Sequence, residues 1–368
     1  MIDYEIVENF EDFMKLESVW NQTLKKSDMD CPFLTHEWMA SWWQSYAAHA
    51  KLYIVILKIS DEIIGIAPLM RREISYRRIR MNALSLITNG HSNRSGFIIV
   101  KGREDEALRI LIHLSELKQE FDVIYLDYVV ANSATDQLIQ KYLKSYKNNF
   151  VKFKSSNSPY IIIDKSWDDY LKSLTKRFRK KIKVSNAQIE DDSRLEMKEY
   201  FDISEDDAFS KICEISLKSW KSRENSAIAS DENNKKFYFV LGEKSTQLKW
   251  LHIFMLTCNS MPAAFLYTLD YGNKTYLLKT DFNQDYDDIG PGILLFSYVV
   301  KKIFNNSRIE CDFLGEDDDY KLRWTDNCRE HTKYYIFGNT IKGKLLFYFE
   351  TTIINYLRKA RNIVILNK

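Results

Sequence analysis

Tyr276-Leu277-Leu278-Lys279-Thr280-Asp281-Phe282 runs through Asn283-Gln284-Asp285-Tyr286-Asp287-Asp288-Ile289-Gly290-Pro291-Gly292 into Ile293-Leu294-Leu295-Phe296-Ser297-Tyr298. Residues 276–280 read as a strand, the middle as a polar loop, and residues 292–304 as an apolar helix. A helix that opens on Gly-x-Gly directly after a strand turns free backbone N–H groups and the positive end of its dipole toward an anion. The glycines let a phosphate approach the backbone closely. Ile289, Gly290, Pro291 and Gly292 are therefore a candidate anion cradle, although the same residues, taken alone, better suit a tight helix entry with Pro291 pre-set for the first turn.

This segment closes a longer order of elements. Helices at 205–222 and 232–243 lead into the β-rich run 248–255, a turn at Asn259-Ser260, strands at 262–269 and 276–280, the helix 292–304, and strands at 308–314 and 333–337. The first half repeats it. Helices at 9–28 and 36–48 precede a hairpin, 52–57 and 63–69 about Ser60-Asp61-Glu62, then strands at 82–87 and 95–100, a helix at 104–118, a strand at 123–126, a helix at 133–145 and strands near 150 and 160. Ile64-Gly65-Ile66-Ala67-Pro68-Leu69 and Met261-Pro262-Ala263-Ala264-Phe265-Leu266 fall at the same place in each unit, which points to duplication. The expected architecture is α/β (α+β), with mixed-sheet domains at 1–165 and 166–340 and a C-terminal amphipathic helix at 341–368.

The composition suits this reading. The chain has 368 residues, with Lys+Arg 53 against Asp+Glu 51 and 45% hydrophobic residues, which is the balance of a folded protein without a global pull toward nucleic acid. Gly 11 and Pro 5 exclude collagenous and low-complexity classes. The N-terminus lacks the basic and apolar regions of a secretory signal, and no long uncharged apolar run occurs, so a soluble cytoplasmic protein is expected. Five scattered cysteines without a CxxC pair suit reduced thiols, and the histidines lack metal-ligand spacing, so no metal site is expected.

Further candidates lie in Glu310-Cys311-Asp312-Phe313-Leu314-Gly315, followed by Tyr320-Lys321-Leu322-Arg323-Trp324. Strand alternation sets Glu310 and Asp312 on one face and Cys311 on the other. A carboxylate at a strand end beside a ligand loop can serve as a general base, so Asp312 is the base candidate, whereas the acidic run 316–319 reads as a solvated turn. Lys176-Arg177-Phe178-Arg179-Lys180-Lys181-Ile182-Lys183 is strongly basic. It reads as a solvated helix crossing between domains, with phosphate or RNA contact as the other reading. The C-terminal segment beginning Leu345-Leu346-Phe347-Tyr348-Phe349 reads as a helix packed on its domain, with peripheral membrane contact as the alternative.

Taken in order, these motifs resemble the GNAT acyltransferase superfamily, in the branch associated with cellulose and exopolysaccharide biosynthesis and related to the Fem aminoacyl transferases. The resemblance also rests on Phe33-Leu34-Thr35-His36-Glu37-Trp38, on Ser219-Trp220-Lys221 and on Pro262-Ala263-Ala264. It implies two GNAT-like domains in tandem, the first degenerate and shaping the acceptor cleft, the second binding acyl-CoA. The superfamily's pyrophosphate loop then matches Ile289, Gly290, Pro291 and Gly292, without the Arg or Gln that usually opens it.

The expected activity is acyl-CoA-dependent N-acyl transfer to an amine of a sugar or other cell-envelope or polysaccharide precursor. Acetyl-CoA or another acyl-CoA is the co-substrate. Asp312 is the expected base and Tyr320 or Lys321 contacts the acceptor, with Trp220, Lys221 and Arg323 as further substrate contacts. The competing expectations are Fem-like use of aminoacyl-tRNA, gripped by the basic segment, and a catalytically silent accessory of polysaccharide assembly. Nucleic acid is a partner only in the tRNA alternative.

Overall fold

The computed structural model describes residues 2–146, 149–221 and 227–354. They divide into two units: Met1–Met39, Ala47–Ser156 and Glu330–Lys368 form the first, Ala40–Tyr46 and Asn157–Arg329 the second.

In the first unit, β1 (Ile2–Val7), β2 (Lys51–Ile59), β3 (Glu62–Tyr76), β4 (Ile79–Leu86), β6 (Val123–Val130) and β13 (Cys328–Phe337) lie side by side in that order, and β5 (Ile98–Ile99) pairs with β3. Only β4 and β6 run parallel among these pairs. The β2–β3 hairpin turns at Ser60 and Asp61, both at positive φ, a turn whose twist matches that of the flanking strands. Helices α1 (Phe10–Lys15) and α2 (Glu17–Lys25) come first in sequence, followed by α3 (His36–Tyr46), whose residues from Ala40 on are assigned to the second unit. Helix α4 (Glu104–Glu116) opens on three acidic residues that favour its N-terminal dipole, and α5 (Ala134–Ser145) is capped by Ser133. Both pack on the sheet, with Ile110, Leu114 and Leu138 meeting Val55, Leu69 and Leu84.

In the second unit the order is β8 (Leu195–Tyr200), β9 (Leu251–Cys258), β10 (Met261–Tyr271), β11 (Lys274–Phe282), β12 (Glu310–Asp312) and the latter part of β7 (Phe150–Ile162). All pair antiparallel except β11 with β12. Around this sheet stand α6 (Trp167–Ser173), α7 (Lys176–Asp191), α8 (Ala208–Leu217), α9 (Glu232–Gln247), α10 (Pro291–Asn305) and the short α11 (Asp319–Leu322). Leu294, Leu295, Val299, Val300 and Ile303 form the buried face of α10 and pack on Leu256, Leu266 and Leu277. Burying one such aliphatic side chain contributes about 1.5–3 kcal/mol, so this face fixes the helix over the sheet.

The mixed α/β architecture is the one expected. The linear boundaries are not those of the structure. Tyr160, Ile161 and Ile162 pair with β12 in the second unit, while the stretch from His331 to Phe337 pairs with β6 in the first. Strand alternation is a local signal and does not say which sheet a strand joins. The basic stretch is no solvated crossing either: α7 belongs to the second unit, buries Phe178, Ile182 and Ser185, and packs against α10. Two strands escape the sequence reading, β1 and β8, both short and rich in charge. The C-terminal helix is seen as α12 (Ile341–Tyr348) and a π-helical turn, Phe349–Ile354, and residues 355–368 of that expectation lie outside the described ones.

Candidate active site

Strands β11 and β12 pair only where Lys274, Thr275 and Tyr276 face Glu310, Cys311 and Asp312. Beyond that point β12 ends, whereas β11 runs on to Phe282 with β10 still beside it. The unpaired side of β11 opens a cavity of about 300 Å³, at the lower end of the usual range for small-molecule sites. Its apolar wall consists of Phe178, Trp220, Phe282, Ile293, Phe296, Tyr320 and Trp324. Lys181, Lys221, Asp281 and Arg323 supply its charges, and Gly292 brings the first turn of α10 to it.

The entry to α10 is built by the loop that precedes it. Asn283 caps the 3₁₀ segment Gln284–Ile289, and Gly290 then adopts φ +67°, the left-handed region open to glycine at little cost. Pro291 takes the first helical position; the first N–H groups of α10 have no intrahelical acceptor, and no side chain among the described residues caps this end. A Cβ placed on Gly292 would meet nothing closer than Phe282 at 3.8 Å. Packing therefore does not demand a glycine there, and its smallness serves the cavity. Of the expected cradle, Gly292 lines the cavity, Gly290 and Pro291 shape the helix start, and Ile289 packs against the core.

Asp281, at the C-terminal end of β11, is the carboxylate in the cavity wall. Its side chain is 1% exposed, and Oδ1 receives Ser219 Oγ at 3.1 Å and lies 3.1 Å from Lys221 Nζ. Lys221 Nζ also donates to the Thr280 carbonyl at 2.6 Å. Oδ2 is buried and accepts no hydrogen bond among the described residues. A buried carboxylate oxygen without a donor is costly and marks a position where a ligand donor would be rewarded. Ser219-Trp220-Lys221 thus acts as one device: Ser219 and Lys221 hold Asp281, and the half-exposed Trp220 forms wall rather than core.

Tyr320 packs edge-on against Phe296, ring centroids 5.7 Å apart. Burial, then the charges of Asp318 and Asp281, push its hydroxyl well above the ordinary tyrosine range, so it remains a proton donor at neutral pH. Lys181 on α7 and Arg323 after α11 are exposed and form no ion pair among the described residues. Behind the wall, burial and the neighbouring Lys221 charge bring the Lys279 ammonium down to about 8.

Two expected residues stand elsewhere. Asp312 is fully buried and is no part of the cavity wall: one oxygen accepts the Leu314 N–H at 3.0 Å, the other Arg329 Nη1 at 2.7 Å. Arg329 also reaches Glu310 at 3.1 Å and lies over the Tyr160 ring. Asp312 is thus a structural anchor rather than a base facing substrate. Lys321 is 7% exposed and directs Nζ to the carbonyls of Leu314 and Glu316 and the carboxylate of Asp318, which staples the loop after β12. The sequence reading missed Asp281, although it stands within the deciding stretch, as the lone acid at the end of its strand.

Among the described residues no group of three or more His, Cys, Asp or Glu could hold a metal ion, and no helix is long and apolar enough to cross a membrane. Residues 176–322 match the family model described as an acetyltransferase (GNAT) domain, and this segment holds all of the cavity wall except Arg323 and Trp324. No curated protein matches the chain. Among solved structures, the chain is similar to FemX, with TM-score 0.60, 12% identity, and coverage of 93% of this chain and 100% of that one. L-PGS from Bacillus licheniformis gives 0.56 at 8% identity, covering 93% and 96%. A tandem GNAT protein from the clavulanic acid biosynthesis pathway gives 0.52 at 9%, covering 92% and 100%. At these identities the likeness is one of fold: the chain shares the fold of a tandem GNAT protein, and residues 176–322 match an acetyltransferase (GNAT) domain, which supports an acyltransferase.

Proposed function

We propose that the chain is an acyl-CoA-dependent N-acyltransferase acting on an amine of a sugar or cell-envelope precursor, with the second-unit cavity as its active site. The observation that carries the reading is the meeting, in one cavity, of an uncapped helix N-terminus and a buried carboxylate oxygen lacking a donor. The first turn of α10 suits the donor's pyrophosphate, through N–H groups and dipole, and Lys181 and Arg323 add charge of the right sign. Asp281 Oδ2 suits the acceptor amine, taking its proton as nitrogen attacks the thioester carbonyl. The new C–N bond replaces the C–S bond, and the Tyr320 hydroxyl is suited to donate a hydrogen bond to the departing thiolate.

Asp281→Asn keeps the shape and removes most of the basicity. With acetyl-CoA and a panel of amino sugars, thiol release should fall by about 10² to 10⁴, with donor affinity little changed. A loss below about tenfold would remove Asp281 from the role of base. A second reading, aminoacyl-tRNA as donor, is favoured by one feature. Helix α7 exposes Lys176, Arg177, Lys180 and Lys183 and also contributes Lys181 to the cavity. Aminoacyl-dependent tRNA binding that weakens steeply with salt would exchange the two donors.

A further inference from the structure

Helix α12 is apolar on both sides. Leu346 is buried with Tyr76, Met81, Val123 and Phe337, and Phe347 packs against that cluster. On the other side Ile341, Leu345 and Tyr348 are 81%, 64% and 60% exposed, and Phe349, directly following, is 37% exposed. The spacing i, i+4, i+7, i+8 aligns these side chains in one stripe. A soluble helix normally turns its apolar stripe inward and its polar residues outward, yet this second apolar stripe faces outward. The hairpin tip between β3 and β4 is fixed to the same helix: Arg77 grips Glu350 at 2.6 and 3.0 Å, and Lys342 Nζ donates to the Arg80 carbonyl at 3.2 Å. Ile79, 43% exposed, extends the apolar surface.

The charged residues of the hairpin tip and of α12 are all basic. Arg78, Arg80 and Lys344 are exposed and pair with no carboxylate among the described residues. The acids at the two anchors, Glu350 and Asp122, are buried and already engaged by Arg77 and by Lys342 with Thr340. An apolar stripe flanked by basic side chains suits an anionic bilayer, with the stripe at the acyl boundary and the cations at the phosphates. A second copy of the chain would set like charge against like in a two-fold contact, which disfavours self-association. We propose that the outer stripe of α12 and the Arg77–Arg80 hairpin tip form a docking surface for an anionic lipid membrane. This surface lies in the first unit and does not depend on the acyltransferase reading.

Co-sedimentation of the full chain with vesicles tests it, using phosphatidylcholine alone and phosphatidylcholine with a third phosphatidylglycerol. The protein should pellet with the anionic vesicles only, and less so as salt rises. Leu345→Glu should abolish pelleting, and Ile341→Glu, at the most exposed position of the stripe, gives the same reading should the first variant fold poorly. Arg78→Gln with Arg80→Gln should weaken binding by about twenty-five-fold, near fivefold per residue. No pelleting by the folded wild type, or equal pelleting by either folded Glu variant, would overturn the proposal. So would a wild-type dimer in light scattering that Leu345→Glu renders monomeric, since the stripe would then be a protein interface.

Discussion

Asp312 gives one carboxylate oxygen to the Leu314 N–H and the other to Arg329, whereas Asp281 leaves Oδ2 without a donor. Both are buried acids near strand ends, and sequence alone cannot rank them, because the partner that satisfies Asp312 is a distant arginine. Asp312→Ala should therefore lower stability by about 3 kcal/mol or more, as expected when one member of a buried ion pair is removed, and leave donor affinity unchanged. Denaturant unfolding beside a CoA titration checks both, and an unaltered midpoint would contradict the anchoring role. Lys279 makes a pH prediction. Below pH about 8 its ammonium is charged in folded and unfolded chains alike, and the burial penalty stands in full. Between about 8 and its ordinary 10.5, only the unfolded chain still holds the proton, so wild-type stability should rise with pH across that window. Lys279→Met should flatten the rise, and unfolding midpoints measured from pH 7 to 10 would show it. An identical slope in both proteins would contradict the assigned shift.

The stretch from Tyr276 to Tyr298 was legible as strand, loop and helix because each part carries its own signal: alternating apolar residues, a cluster of Asp and Asn, then Gly-Pro-Gly before an apolar face. The element formed is α10, Pro291–Asn305, one residue earlier than expected. Less legible was β12, reduced to Glu310–Asp312 because Leu314 and Gly315 turn at positive φ. That early end parts β12 from β11 and makes the cavity, and no periodicity reports it. The glycines at the helix start separate by role. Gly290→Ala should cost about 1 kcal/mol through its left-handed φ. Gly292→Val should stay folded, since its Cβ position is open, but should weaken CoA binding at least tenfold by filling the approach to the N–H groups. Calorimetry on both variants checks this, and unchanged affinity in folded Gly292→Val would remove the helix N-terminus from the site.

Across the whole chain, the repeated order of helices, hairpin, strand, helix and strand gave the tandem mixed-sheet architecture, because each repeat has the same local patterning. It could not give the exchange by which residues after Ser156 pair in the second unit and residues after Arg329 return to the first, since both strands are ordinary in composition. Of the residues expected to bind substrate, Trp220, Lys221, Tyr320 and Arg323 reach one cavity from separate segments, while Asp281 waited for the structure. A crystal structure of the full chain with CoA would show whether the second-unit cavity holds the donor. The pyrophosphate should lie at the N–H groups of Gly292 and Ile293, near Lys181 or Arg323, with the thiol directed into the cavity beside Asp281 and Tyr320. CoA bound away from α10, or no CoA density at saturating concentration, would contradict it.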